Sequence, residues 1–223
     1  MNLADLQGRI NSACSRCDRS PDEVKLMAVT KTHPAPAADW ALSAGLARIG
    51  ENRVQEAAEK RPQVRKPGGI WELIGPLQSN KARLALKTFD RIQTVDREKL
   101  VGVLDRLCAE EGISEYPVLM QVNVGRDAAK HGCETDQARA LAERICQSSH
   151  LRLEGLMTIG QLSGEESVVR PTFAALRQLR NTLEVELGRR LPELSMGMTG
   201  DLEIAIEEGS TLLRVGTALF GAR

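Results

Sequence analysis

Lys31 ends a hydrophobic run, Leu26-Met27-Ala28-Val29-Thr30, which reads as a β-strand. An ammonium carried to the end of an apolar strand is poorly solvated. That lowers its pKa and makes the amine a usable nucleophile toward an aldehyde. A snorkelling lysine on a solvated loop is the competing account, and position alone does not separate the two. A second candidate is the run Ser195-Met196-Gly197-Met198-Thr199-Gly200-Asp201, which leads from a predicted strand into a predicted helix. Its glycines let backbone N–H groups approach an anion, and a helix N-terminus favours negative charge. The next strand ends in Arg214-Val215-Gly216-Thr217, with another close-approach glycine and a hydroxyl. Helix capping by Thr199 or Asp201 would use the same residue types. Two successive loops with this composition favour phosphate. Arg214 is a strand residue, and an arginine pointing into a closed site needs an acceptor there. A heterocyclic ring nitrogen would serve.

Such groups need a scaffold that gathers strand ends. Eight β-branched runs alternate with helical patterns, which predicts a parallel sheet. The predicted strands are 24–30, 47–50, 70–75, 91–95, 117–124, 151–159, 194–198 and 212–217. The predicted helices are 39–44, 54–61, 80–88, 96–111, 135–148, 172–187 and 201–208, with Ser163 and Glu166 as a capping pair before the sixth-strand helix. Eight strand–helix units predict one closed (β/α)₈ barrel spanning 1–223; an open doubly wound sheet is the alternative. Only residues 218–223 follow the last strand, too few for a full helix. The N-terminal helix, with Leu3, Leu6, Ile10, Cys14 and Cys17 on one stripe, is expected to cover that gap. In such a barrel the site lies at the C-terminal strand ends. There the sequence also places Glu51 and Asn52, residues 76–81, Asn123, Lys130, His131 and Met157.

Composition narrows the function classes. Apolar residues make up 42% and thirty basic residues balance thirty acidic ones, so no net field favours nucleic acid or an anionic membrane. Aromatic residues are 3%, which argues against base-stacking platforms. The first ten residues lack a signal-peptide pattern, and no apolar run reaches a membrane span. Five irregularly spaced cysteines do not read as a disulfide framework, so the expected compartment is the reducing cytoplasm. Cys14-x-x-Cys17 lies on the helix stripe rather than at the exposed start of a helix after a strand, so packing is preferred to redox chemistry. No further ligands for a metal stand nearby.

Together these segments resemble the pyridoxal 5′-phosphate (PLP) homeostasis protein family. The resemblance runs over nearly the whole chain. It is carried by AVTKTHP (28–34), IGENRVQE (49–56), WELIGPLQSNK (71–81), GLMTIG (155–160), LSMGMTGDLEIAIEEGST (194–211) and LRVGTALFGAR (213–223). It implies the barrel of alanine racemase without that enzyme's second domain, and PLP held as a Schiff base on Lys31. Ser195, Gly216 and Thr217 are the implied phosphate contacts, with Thr199 a weaker one. Arg214 is implied to face the pyridine nitrogen, and Asn52 the ring hydroxyl side. The implied role is binding and buffering PLP within vitamin B6 homeostasis. The chain is further expected to act as a monomer, with apo PLP-dependent enzymes as recipients and no nucleic acid, membrane or metal partner. Two positions depart from the family pattern: Glu72 stands where histidine is frequent, and His33 where a second lysine is frequent.

The residues favour a carrier independently. PLP enzymes that need a strong electron sink place a carboxylate on the pyridine nitrogen. Arginine is a donor only and would hold that nitrogen unprotonated. Racemisation further needs an acid/base group on each face of the cofactor. The only tyrosine, Tyr116, precedes the fifth strand and so belongs to the opposite end of the barrel. A PLP-dependent racemase or lyase is the alternative, with Lys130 and His131 the first candidates for a proton-transfer group. A Schiff-base aldolase acting on a phosphorylated sugar would use the same lysine and loops.

Overall fold

Eight short strands pair side by side, all parallel. They are β1 (Lys25–Val29), β2 (Arg48–Glu51), β3 (Ile70–Leu73), β4 (Arg91–Val95), β5 (Tyr116–Gln121), β6 (Leu151–Met157), β7 (Glu193–Ser195) and β8 (Leu212–Val215). Pairing follows chain order, and β1 closes on β8 through the register Lys25↔Leu212 to Ala28↔Val215. The computed structural model thus has a closed (β/α)₈ barrel, and the open-sheet alternative is excluded. It describes residues 3–125, 130–160 and 165–221. The helices are α1 (Leu3–Arg16), α2 (Ala35–Ser43), α3 (Val54–Lys60), α4 (Ala82–Thr88), α5 (Glu98–Glu110), α6 (Ala138–Cys146), α7 (Glu166–Leu187), α8 (Leu202–Glu207) and α9 (Thr217–Phe220).

Boundaries differ from expectation where the local chemistry explains it. The seventh strand ends at Ser195 rather than Met198, because Gly197 turns the chain with φ +94°. The second helix starts at Ala35, four residues early, since Pro36 suits the first turn, where no intrahelical N–H bond is required. The helix after β6 starts at Glu166, not Thr172. Pro171 sits early inside it, while Arg170 ties that turn to Glu166, Glu207 and Glu208. Ser163 of the expected capping pair lies outside the described residues.

Apolar side chains between strands and helices form the main core, in which Trp71 and Phe173 are the largest fully buried. Met27, Val29, Ile74 and Leu212 form a separate apolar cluster. Alternation along β1 and β8 assigns it to the barrel interior, on the side to which Arg214 also belongs. Below it, toward the N-terminal ends, the interior is ionic. Arg48 and Arg91 each reach Glu72 at 2.5 Å, and Arg91 also reaches Glu154 at 3.0 Å and Glu193 at 3.4 Å. Glu72 and Arg91 are buried, so these pairs satisfy charges that would be costly alone.

The N-terminal helix α1 packs on α8 and α9, beside the β8–β1 closure, as expected. Leu6, Ile10, Ala13 and Cys14 are its buried stripe. Arg9 pairs with Glu203 at 2.6 Å and donates to the Thr199 carbonyl at 3.0 Å; Arg16 pairs with Glu207 at 2.8 Å. All five cysteines are free, and burial raises the Cys14 thiol above its usual pKa.

Candidate functional site

A cavity of about 480 Å³ opens at the C-terminal mouth of the barrel. Its wall is built from the loops after β1, β2, β3, β5, β6, β7 and β8, together with strand residues Val29 and Arg214. Lys31, Asn52, Thr199, Arg214, Gly216 and Thr217 all line it. These are six of the seven residues singled out in the sequence, and they come from four loops and one strand.

Ser195 is the exception. It is fully buried at the end of β7 and does not line the cavity. Its hydroxyl donates to Gln93 Oε1 at 2.6 Å and accepts from Arg214 Nη1 at 2.7 Å. The strand ends at Ser195, so its side chain still follows the strand alternation and points into the barrel with Glu193. The loop that faces the cavity begins at Met198.

The backbone around Lys31 is anchored on both sides. Thr30 Oγ1 donates to Glu51 Oε1 at 2.6 Å, and Lys60 Nζ donates to the Thr30 carbonyl at 2.9 Å. Thr32 N donates to Glu56 Oε1 at 2.5 Å. Lys60 joins these anchors by reaching Glu51 at 2.6 Å and Glu56 at 3.2 Å. Thr32 takes φ +66°, left-handed backbone that a β-branched residue adopts at a cost of about 1–3 kcal/mol. Such strain persists only where surrounding bonds over-determine it, and here they bracket Lys31. Glu51 is fully buried and its Oε2 has no hydrogen-bond partner among the described residues. Burial raises its carboxyl above the usual range, against the opposing hydrogen bonds from Lys60 and Thr30. Glu56 and Lys60 were not singled out in the sequence; their i,i+4 spacing directly after the Glu51-Asn52 strand end is the available signal.

Arg214 closes the floor of the cavity. Nη2 donates to the Thr158 carbonyl at 2.7 Å, which with the Ser195 bond fixes the guanidinium from two strand ends. Burial pushes its pKa down to about 10, against the opposing charges of Asp201 and Glu72, so it remains a cation at neutral pH. Asp201 folds the loop after β7 by accepting from Met198 N at 2.5 Å, and burial raises its carboxyl. At Gly216 a Cβ would stand 3.1 Å from the Val29 carbonyl oxygen, so glycine permits the close approach of β8 to β1 at the mouth.

Lys130 lies on the wall with Nζ donating to the Gly160 carbonyl at 2.8 Å. His33 lines the rim, its ring 5.1 Å from Phe220, which in turn meets Trp40 at 5.6 Å. His131 is not part of the wall. Tyr116 begins β5 at the opposite end, its hydroxyl donating to the Phe89 carbonyl at 2.7 Å. Among the described residues no helix is long and apolar enough to cross a membrane, and no group of His, Cys, Asp or Glu is placed to hold a metal ion.

The model of the family described as alanine racemase, N-terminal domain, matches residues 1–223. A protein of Pseudomonas aeruginosa named pyridoxal phosphate homeostasis protein is 43% identical over 222 residues, covering 100% of this chain and 94% of its own length. The solved structure of PipY from Synechococcus elongatus with PLP bound superposes with a TM-score of 0.84 at 37% identity, covering 97% of this chain and 100% of that one. Alanine racemase from Bacillus anthracis shares the fold, with a TM-score of 0.74 at 18% identity; this chain covers 57% of it. Matched over its full length in both respects, the chain belongs to the alanine racemase N-terminal domain family and, within it, to the pyridoxal phosphate homeostasis proteins.

Proposed function

We propose that this protein binds pyridoxal 5′-phosphate covalently through the Lys31 amine and holds it for supply rather than for turnover. The observation that carries this is the convergence, on one cavity, of a braced lysine, a hydroxyl- and glycine-bearing rim and a buried arginine. A flat phosphorylated aldehyde with a ring nitrogen asks for those three groups. The relatives' names and the PLP in the PipY structure support the same ligand.

In this reading Thr199, Gly200, Gly216 and Thr217 receive the phosphate. Their hydroxyls and backbone N–H groups lie on the two loops that meet at the cavity rim. Arg214 donates to the ring nitrogen and Asn52 reaches the ring hydroxyl side. Ser195, assigned to the phosphate on sequence grounds, instead supports Arg214 from below. The bound group supplies an electron sink, and a donor-only guanidinium beside the ring nitrogen weakens it. Together with the placement of Tyr116 at the far end of the barrel, this favours a carrier over a racemase or lyase. The protein acts in the cytoplasm as one (β/α)₈ domain, as a monomer, and serves apo PLP-dependent enzymes.

The test is spectroscopic and chemical. PLP added to the apoprotein is expected to give a visible band. Borohydride reduction is then expected to add one pyridoxyl-phosphate mass to the peptide containing Lys31. Label confined to Lys81 or Lys130, or no retained PLP, would overturn the assignment.

A further inference from the structure

Arg214 is the upper end of a polar chain that descends the barrel interior. Nη1 donates to Ser195 Oγ at 2.7 Å, Ser195 Oγ donates to Gln93 Oε1 at 2.6 Å, and Gln93 Nε2 donates to Glu72 Oε2 at 2.7 Å. Glu72 is held in turn by Arg91 and Arg48, each at 2.5 Å. Gln93, Ser195 and Glu72 are fully buried and Arg214 is 4% exposed.

The two ends dictate the direction of every bond between them. A guanidinium only donates and a carboxylate only accepts. Ser195 must therefore accept from Arg214, which commits its single proton to Gln93. Gln93 must turn its carbonyl to Ser195 and its amide nitrogen to Glu72. Flipping the amide or rotating the hydroxyl would leave polar groups unpaired at positions buried from bulk solvent. One arrangement is thus selected. It fixes Nη1 from β7 and β4, while the Thr158 carbonyl fixes Nη2 at 2.7 Å. A guanidinium pinned at both terminal nitrogens has its plane set before any ligand arrives.

We propose that Gln93 and Ser195 are positioning residues: through this one-way chain anchored on Glu72 they orient Arg214 for the acceptor atom of a flat heteroaromatic ligand. The inference rests on the reading that Arg214 faces the PLP ring nitrogen, and it concerns residues that do not touch the ligand. Glu72 supplies the acceptor-only end that gives the chain its direction.

The experiment compares Ser195→Ala, Gln93→Leu, Arg214→Ala and the double variant Ser195→Ala/Arg214→Ala. The PLP dissociation constant and the position of the visible band are read for each, with apoprotein melting measured in parallel. Ser195→Ala and Gln93→Leu are expected to weaken PLP about fivefold or more and to move the band in the same direction as Arg214→Ala. The decisive result is coupling: Ser195→Ala is expected to add less than about twofold on top of Arg214→Ala, since its effect passes through that side chain. Full additivity, at unchanged melting, would assign Ser195 a role independent of Arg214 and overturn the proposal. A silent Ser195→Ala beside a weakened Arg214→Ala would overturn the proposal alone. A silent Arg214→Ala would overturn the ring-nitrogen reading and this inference with it. Ser195→Ala removes one oxygen, so the pair of measurements on Ser195 decides the matter even if Gln93→Leu does not fold.

Discussion

Replacing Lys60 by methionine tests the bracing of Lys31. Lys60 is 5% exposed, and its ammonium serves Glu51, Glu56 and the Thr30 carbonyl at 2.6, 3.2 and 2.9 Å. Methionine fills much of the same volume but takes the charge away. Glu51, fully buried, then keeps the hydrogen bond from the Thr30 hydroxyl at 2.6 Å, and its Oε2 stays unpartnered among the described residues. Breaking a buried pair from one side costs about 3–5 kcal/mol. For a chain of this length about 1 kcal/mol moves the melting temperature by ~2–4 °C, so the apoprotein is expected to melt ~6–20 °C lower. The double variant Lys60→Met/Glu51→Leu removes the orphaned charge and is expected to recover at least half of that loss. The deficit also depends on pH. Burial raises the Glu51 carboxyl in the folded state above the ordinary value of 4.5. Such a group takes up a proton on folding, so its penalty is full above the folded pKa and absent below the unfolded one. The deficit of Lys60→Met is therefore expected to be larger at pH 7 than at pH 5. Melts followed by circular dichroism at the two pH values read both effects. A drop below about 2 °C at pH 7, or a double variant less stable than the single one, would refute the reasoning.

Other outcomes follow from the site and its supports. Pyridoxal, which lacks the phosphate, is expected to bind at least tenfold more weakly than PLP in an equilibrium titration; equal dissociation constants would remove Thr199, Gly216 and Thr217 from the phosphate role. Deuterium exchange at the α-carbon of a panel of amino acids, measured with PLP-loaded protein, is expected to stay far below the order of 1 per second typical of evolved enzymes; Lys31-dependent exchange near that rate would establish a PLP enzyme. Glu203→Gln tests the seat of α1. The Arg9 hydrogen bond holds the Glu203 carboxyl below its usual range, so its contribution is present above the ordinary value of 4.5 and lost as pH falls through the folded pKa. The pair is partly exposed, with side chains 26% and 30% accessible, so the difference from wild type at pH 7 is expected to be at most about 1 kcal/mol and to vanish in acid. A difference that persists unchanged at pH 3 would mean that the glutamate acts through packing.

The order of elements was legible in the sequence because short apolar runs alternate with helical patterns and the loops after β7 and β8 carry glycines and hydroxyls. Lys31, Thr199 and Arg214 could be placed on that basis. Ser195 was expected within the seventh strand and lies there. The sequence does not show that its hydroxyl meets Gln93 and Arg214 rather than the cavity. That pairing exists only once β4, β7 and β8 close around the barrel interior. Glu72 was visible in the sequence as a strand glutamate, but its meaning lies in Arg48, Arg91 and Gln93 on the neighbouring strands β2 and β4. Their convergence depends on barrel register, which no local pattern encodes. The anchors of Lys31 were hidden for the same reason: Thr30, Glu51 and Lys60 meet only once β1, β2 and α3 have packed together.

Arg9 bridges two parts of the molecule that perform different tasks. Its guanidinium is bonded to Glu203 on α8 and to the Thr199 carbonyl, so the first helix of the chain holds the backbone of a cavity loop. Local opening of α1 and a change of state at that loop are then linked equilibria. A ligand that steadies Thr199 must also suppress fraying of α1, by the same free energy with which a docked α1 favours the ligand. Protease resistance and amide-exchange protection in residues 3–16 thereby become a remote gauge of occupancy at the barrel mouth.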